Sequence, residues 1–266
     1  MLDQVEHVFS VSLASSTPVY GTQGSTVGYR SSAQTWVRLS WRPHDTSHEQ
    51  AWTGCEAAST LQGVRKPELY RSYRWTDDGR SVVWRADESE LIDSTAIGVG
   101  GLITSPPGLS DSWWDSLKGS LDALASHSTH RMGMEQAHLT KRINQVFGAH
   151  DLDTTVTEWR TAHADLHWNN VTAPTCYLLD WEDWGAGPRG LDAATLWGFS
   201  LRVPEVAQRI QAIFAGDLSS RSGLLAQLLF CSNVIRLSAD KPTPGPLFDP
   251  AKREAARILE ELAAGS

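Results

Sequence analysis

The chain has 266 residues, enough for one large domain or two lobes, and its 41% hydrophobic and 20% charged content is ordinary for a soluble globular protein. Its 23 basic and 31 acidic residues leave a net charge of −8, which argues against nucleic acid as a main partner, because phosphate backbones need a basic face. The three cysteines, Cys55, Cys176 and Cys231, are far apart and show neither zinc spacing nor a disulfide framework, so they read as small buried side chains in a reducing compartment.

Residues 7–14 alternate apolar and small polar side chains and predict a strand. The stretch 18–28 holds Gly21, Gly24 and Gly28, a turn whose backbone N–H groups could face phosphates or simply close a hairpin. A strictly alternating strand follows at 35–41, ended by Pro43. A helix is expected over 47–62, with Ser47 and Gln50 as a capping box and Gly63 as the stop. Strands at 64–75 and 81–84 flank the turn Asp77-Asp78-Gly79. About five strands around one helix make a small N-terminal lobe of residues 1–86, leaving 87–266 as a larger, mainly helical lobe.

In that second part helices are expected at 111–126, 135–147, 154–160, 192–199, 204–214, 220–238 and 250–262. The first of these carries Trp113, Trp114, Leu117, Leu121 and Leu124 along one face. Residues 185–190 read as a loop. The N-terminus lacks a basic region followed by a long apolar core, so no secretion signal is expected. The longest nearly apolar run, 223–235, is too short to span a bilayer. A cytoplasmic protein with no membrane partner is the expectation.

Chemistry concentrates at 161–184. His163, Asp165 and Asn170 form the pattern H-x-D-x-x-x-x-N, and the apolar run Tyr177-Leu178-Leu179 delivers Asp180. Val171 and 177–179 read as two short strands with Pro174 in the turn, which returns Asp180 towards Asp165 and Asn170. Phosphoryl transfer needs an acceptor for a hydroxyl proton and oxygen ligands for Mg²⁺, which takes one or two carboxylates with phosphates and water. In this reading Asp165 is the base, and Asn170 and Asp180 hold the metal. A rival reading makes His163, Asp165 and His167 part of a metallohydrolase cluster. It lacks further ligands, because no histidine follows His167 and none upstream forms an H-E-x-x-H helix.

The stretch resembles the aminoglycoside phosphotransferase and choline-kinase-like group, relatives of the protein kinases. That group typically reads H-G-D-L-H-x-x-N, then I-D-W, then D-L-A. Here the residues are His163-Ala164-Asp165-Leu166-His167-Trp168-Asn169-Asn170, Leu178-Leu179-Asp180-Trp181 and Leu191-Asp192-Ala193-Ala194. The group's glycine is Ala164, a small change unless the position needs a positive φ.

The resemblance implies an α+β, two-lobed protein-kinase-like fold, ATP and Mg²⁺ as cofactors, and transfer of the γ-phosphoryl group to a hydroxyl of a small molecule. His163 and Asp192 would support the catalytic loop. Arg38 would stand where the group pairs a strand cation with phosphates, and Glu56, in Cys55-Glu56-Ala57-Ala58, would hold it. Gly24 would line the phosphate loop, and Arg85 and Ala86 would form the hinge that meets the adenine. Only twelve residues separate Asp180 from Asp192, too few for a protein-kinase activation segment, so a small-molecule acceptor is expected. The acidic residues Asp87, Glu88, Glu90, Glu182 and Asp183 could meet a cationic, aminoglycoside-like substrate, with Trp181 and Trp184 as walls. The alternative is a kinase-like nucleotide-binding protein without turnover, a reading that rests on the weak glycine pattern and on Arg38 in place of lysine.

Overall fold

The computed structural model describes residues 1–13, 17–21, 24–44, 49–98, 100–148, 152–239 and 241–264. The chain divides into two compact units, Met1–Thr60 with Lys66–Asp93, and Leu61–Arg65 with Ser94–Ser266. The division falls after Asp93 rather than at 86. Ala86 lies inside a strand and pairs with Leu39 on one side and Tyr73 on the other.

The first unit is an antiparallel sheet in the order β1-β2-β3-β5-β4, with β1 Val19–Tyr20, β2 Thr26–Arg30, β3 Thr35–Pro43, β4 Leu69–Asp77 and β5 Val82–Glu90. The β4–β5 hairpin turns at Asp77, whose carboxylate accepts from the Arg80 backbone N–H (3.2 Å) and guanidinium (2.6 Å). Pro67 lies before β4, and a ladder strand cannot use a residue without an N–H, so the strand begins later than expected.

The strand expected at 7–14 is not formed over 7–13, and residue 14 lies outside the described residues. The helix α1, Leu2–Phe9, takes residues 7–9 of that stretch, because Leu2, Val5 and Phe9 fall on one helical face. Val5 and Phe9 join Val37, Leu39, Tyr29 and Ala86 in one apolar cluster, so α1 covers one face of the sheet. The other face carries α2, Glu49–Trp52, and α3, Gly54–Ala58. A single helix over 47–62 is not formed: the Thr53-Gly54 pair interrupts it, with the Thr53 hydroxyl donating back to the Gln50 carbonyl (3.2 Å). Ser47, the expected cap, lies outside the described residues.

The second unit is mainly helical. It contains α4 Asp111–Ser126, α5 Gln136–Phe147, α6 Leu191–Phe199, α7 Pro204–Ile213, α8 Ala215–Leu218, α9 Arg221–Ala239 and α10 Phe248–Ala264. Helix α4 matches its predicted bounds and buries the predicted face. The Ser110 hydroxyl caps it by accepting from the Trp113 N–H. By length and composition α9 is apolar enough to cross a bilayer, against the expectation from its apolar run, but most of it is buried against α5, α6 and α10.

Two short sheets position the catalytic-type loop. One pairs β6, Thr95–Ala96, with β8, Thr172–Ala173; the other pairs β7, Trp159–Ala162, with β9, Gly185–Pro188. The expected helix at 154–160 is therefore extended chain leading into β7, and the expected loop at 185–190 begins as a strand. Glycine hid that strand from the sequence. A Cβ at Gly185 would lie 2.5 Å from the Gly133 nitrogen, so only glycine lets the backbone of 131–133 pass so close.

Candidate active site

Residues 163–170 form a loop that begins at the end of β7, and Asp192 in the first turn of α6 anchors its start. The Asp192 carboxylate accepts from the His163 N–H (2.7 Å) and the Ala164 N–H (2.9 Å). Ala164 sits at φ 67, so the position does demand the left-handed region that glycine adopts at no steric cost. His163 is fully buried, with Nε2 2.7 Å from the Leu179 carbonyl and its ring edge-on to Trp181. Through Nε2 the ring thus ties the loop to the strand-like stretch that precedes Asp180.

Asp165, Asn170 and Asp180 come together. The Asn170 amide donates to the Asp165 backbone carbonyl (2.8 Å) and to its carboxylate (3.2 Å). The Leu179 N–H donates to the Asn170 carbonyl (2.9 Å), and Val171 bridges to Leu178, which sets Asp180 beside the loop. Asp180 is exposed and, at φ 63, also left-handed. Burial is the largest influence on the Asp165 carboxyl and pushes its pKa up; His167 and His163 pull it down, and the negative charges of Asp180 and Asp183 push it up again.

The loop rests on a tryptophan cluster. Trp168 is fully buried, stacks at 6.3 Å on Trp113, meets Trp114 edge-on and donates from Nε1 to the Ser200 hydroxyl (2.9 Å). Asn169 accepts from the Gly101 N–H (2.8 Å), and the Gly98 N–H donates to the Trp168 carbonyl (2.9 Å), so the glycine-rich segment is tied to the loop. Sequence reasoning gave Trp168 and Asn169 no role of their own; the glycines at 98 and 100–101 were the available signal. The His167 Nε2 stands 3.7 Å from the Asp165 carboxylate, and its ring lies edge-on to Phe199.

Among the described residues no group of three or more His, Cys, Asp or Glu side chains is arranged to hold a metal. The Asn170 and Asp180 pair is a different donor set, one amide and one carboxylate. Its hard oxygens fit Mg²⁺, which leaves the remaining positions to phosphates and water.

The nucleotide candidates of the first unit fare unevenly. Gly24 lies in the β1–β2 turn at φ 71, where its N–H donates to the Gly21 carbonyl (3.1 Å). Arg38 lies on β3 opposite Asp87. Glu56 does not hold Arg38: its carboxylate pairs with Arg85 Nη1 at 3.1 Å. Arg85 and Ala86 are not a hinge. Both lie within β5, which β3 and β4 flank, so the sheet uses their backbone groups. Arg85 is buried, and its Nε contacts both Asp87 oxygens at 2.8 and 2.9 Å.

Asp87 and Glu88, expected at a substrate mouth, are buried and used internally. Asp87 meets Arg85 and Ser72, and Glu88 meets Arg71 and the Thr35 hydroxyl. Glu90 accepts from the Glu68 N–H. Asp183 is exposed and Glu182 half-buried. Trp184 is buried under the Arg131 guanidinium, which lies 4.9 Å from its ring and donates to the Trp184 and Glu182 carbonyls (3.0 and 2.9 Å).

A small antiparallel sheet with helices on it, a larger helical unit, and an aspartate–asparagine loop anchored by a second aspartate define a protein-kinase-like fold. No protein-family model matches the chain, and no curated protein sequence matches it. Solved structures match along nearly its whole length. The chain is similar to aminoglycoside phosphotransferase APH(4)-Ia, with a TM-score of 0.58 at 11% identity, over 98% of this chain and 96% of that one. It is also similar to amicoumacin kinase in complex with AMP-PNP and Ca²⁺, with a TM-score of 0.57 at 12% identity, over 99% and 93%. Choline kinase from Streptococcus pneumoniae gives 0.52 at 12%, over 98% and 97%. At these identities the likeness is one of fold.

Proposed function

We propose that the protein is a member of the aminoglycoside phosphotransferase and choline-kinase-like group, and that it is an ATP- and Mg²⁺-dependent kinase of a small molecule, transferring the γ-phosphoryl group to a hydroxyl. The observation that carries this reading is the Asn170 amide donating to the backbone carbonyl and to the carboxylate of Asp165, with Asp180 set beside them. Asp165 accepts or orients the hydroxyl proton, and its position is fixed by Asn170 and by the Asp192 anchor. Asn170 and Asp180 would hold Mg²⁺. When bound, the ion neutralises charge on the transferred phosphoryl group. His163 and Asp192 shape the loop. Arg38 and the Gly24 turn are the nucleotide candidates of the first unit. The exposed Asp183, with Asp180, gives the substrate side a negative charge that suits a cationic alcohol.

A second reading is a nucleotide-binding protein without turnover. The pairing of Glu56 with Arg85 instead of Arg38 favours it, because active kinases hold the strand cation with the helix glutamate. A phosphoryl-transfer screen with Mg-ATP across amino sugars, nucleosides, choline-like alcohols and sugars separates the two. Product formation that disappears in Asp165→Asn supports the kinase. Nucleotide binding with no product from any acceptor class supports the second reading.

A further inference from the structure

A pocket of about 290 Å³ lies where α4, β7, α6 and α8 meet within the second unit. Its wall carries Leu121 and Ala125 of α4, Arg160 and Ala162 of β7, Asp192 of α6, and Phe214. A water molecule fills about 30 Å³ of liquid, so the space matches a ligand of roughly ten non-hydrogen atoms. Residues two apart along a strand share a face, so Arg160 and Ala162 stand on the same side of β7. Ala162 is buried and Arg160 exposed, and the strand thus runs from the floor of the pocket to its rim.

The other charged groups of the lining are already matched. Asp122 pairs with Lys118 at 2.6 Å. Asp217 pairs with Arg189 at 2.7 Å, and Arg189 also meets Glu158 at 3.0 Å. The Asp192 carboxylate accepts from the His163 and Ala164 N–H groups. Arg160 differs: among the described residues its guanidinium meets only the carbonyl of its neighbour Trp159, at 3.4 Å. What a ligand has left to satisfy is therefore a guanidinium, which takes a carboxylate on two parallel N–H donors. A phosphate monoester brings close to a second negative charge and would face Asp122, Asp192 and Asp217, so a single negative charge fits better. Leu121, Ala125, Ala162 and Phe214 suit a hydrocarbon body.

We propose that this pocket is a second ligand site: it binds a small carboxylate with an apolar body through Arg160, and the bound ligand steadies the Asp192 anchor of the 163–170 loop. Asp192 is the link between the two. It lines the pocket, and its oxygens hold the first two N–H groups of the loop (2.7 and 2.9 Å). Asp192 remains 7% exposed, and an apolar body against it removes water that competes for those oxygens. A hydrogen bond in drier surroundings is electrostatically stronger. Neither nucleotide nor turnover is involved, so the site is independent of the kinase reading.

Phenylacetate matches the size of the pocket and is the probe, titrated into the full chain without nucleotide and followed by ligand-observed NMR. Phenylacetamide has the same shape and no charge. Phenylacetate should bind, and phenylacetamide should bind at least about 5-fold more weakly. Arg160→Met should weaken phenylacetate binding about 10-fold, and Arg160→Lys less, because an ammonium keeps the charge but not the fork. Arg160 has no side-chain partner among the described residues, so both variants are expected to fold. Ala125→Leu fills the pocket from α4 and should abolish binding with Arg160 intact. At saturation, hydrogen exchange of the His163 and Ala164 amides should slow about 3-fold. No binding at tens of millimolar overturns the site, and so does binding that Arg160→Met or Ala125→Leu leaves unchanged. Phenyl phosphate that binds more tightly than phenylacetate overturns the carboxylate assignment. Unchanged amide exchange at saturation overturns the link through Asp192.

Discussion

The Asp192 carboxylate and the Ala164 N–H meet at 2.9 Å while Ala164 is held at φ 67. An alanine there costs about 1 kcal/mol relative to a residue without a Cβ. Glycine gives back part of that gain through its greater freedom when unfolded, about 0.4–1 kcal/mol. Ala164→Gly should therefore be neutral or more stable by up to about 0.5 kcal/mol, and Ala164→Val should lose at least about 1 kcal/mol. Thermal melting of the two variants checks the order, and a Val variant as stable as wild type would contradict it.

Asp192 carries the loop on two backbone bonds. Asp192→Ala leaves two N–H groups without their acceptor and should cost about 2–4 kcal/mol. Asp192→Asn keeps one acceptor oxygen and should cost less. Denaturant titration of both variants gives the difference.

Asp165 titrates above the ordinary carboxylate range, chiefly through burial. In the proposed kinase its ionised form accepts the proton, so lowering the pH protonates it and turnover should fall on the acidic side. That limb should lie higher than for an exposed aspartate. Asp183→Asn removes a negative charge that pushes the carboxyl up and should move the limb to lower pH. His167→Asn removes a group that pulls it down and should move the limb to higher pH. Profiles of kcat/KM against pH that shift the opposite way would exclude Asp165 as the group behind the limb. Asp165→Asn itself should cut turnover at least about 100-fold and leave nucleotide affinity nearly unchanged.

Ser200 accepts from the fully buried Trp168. Ser200→Ala leaves the indole N–H without that partner and should cost about 1–3 kcal/mol. Trp168→Ala should cost about 3–5 kcal/mol and also abolish turnover, because Trp168 lies between Asp165 and Asn170 in the loop. Melting curves and turnover of both variants separate stability loss from loss of the loop.

Helices α4, α7 and α10 were legible because a single buried stripe at helical spacing leaves a strong pattern. The chemical loop was legible because its aspartates and asparagine sit at fixed intervals. Strand β9 was not, since its glycines are required by the neighbouring backbone and erase any alternation. Helix α1 was hidden by an alternation that covers only its end. The partner of Glu56 was invisible for another reason. Arg38 and Arg85 both occupy strands on the same face, and only the register and the spread of Asp87, Ser72 and Trp52 around Arg85 decide which cation the glutamate meets.

The five residues Leu61–Arg65 belong with the second unit although the first unit resumes at Lys66. Leu61 is buried, and the Arg65 carbonyl accepts from the Leu178 N–H (2.9 Å), two residues before Asp180. No single scission can release an intact half. A fragment ending at Asp93 carries off the peptide that braces the approach to Asp180, and one ending at Thr60 forfeits β4 and β5. Chimeras built on this scaffold have to exchange both junctions together.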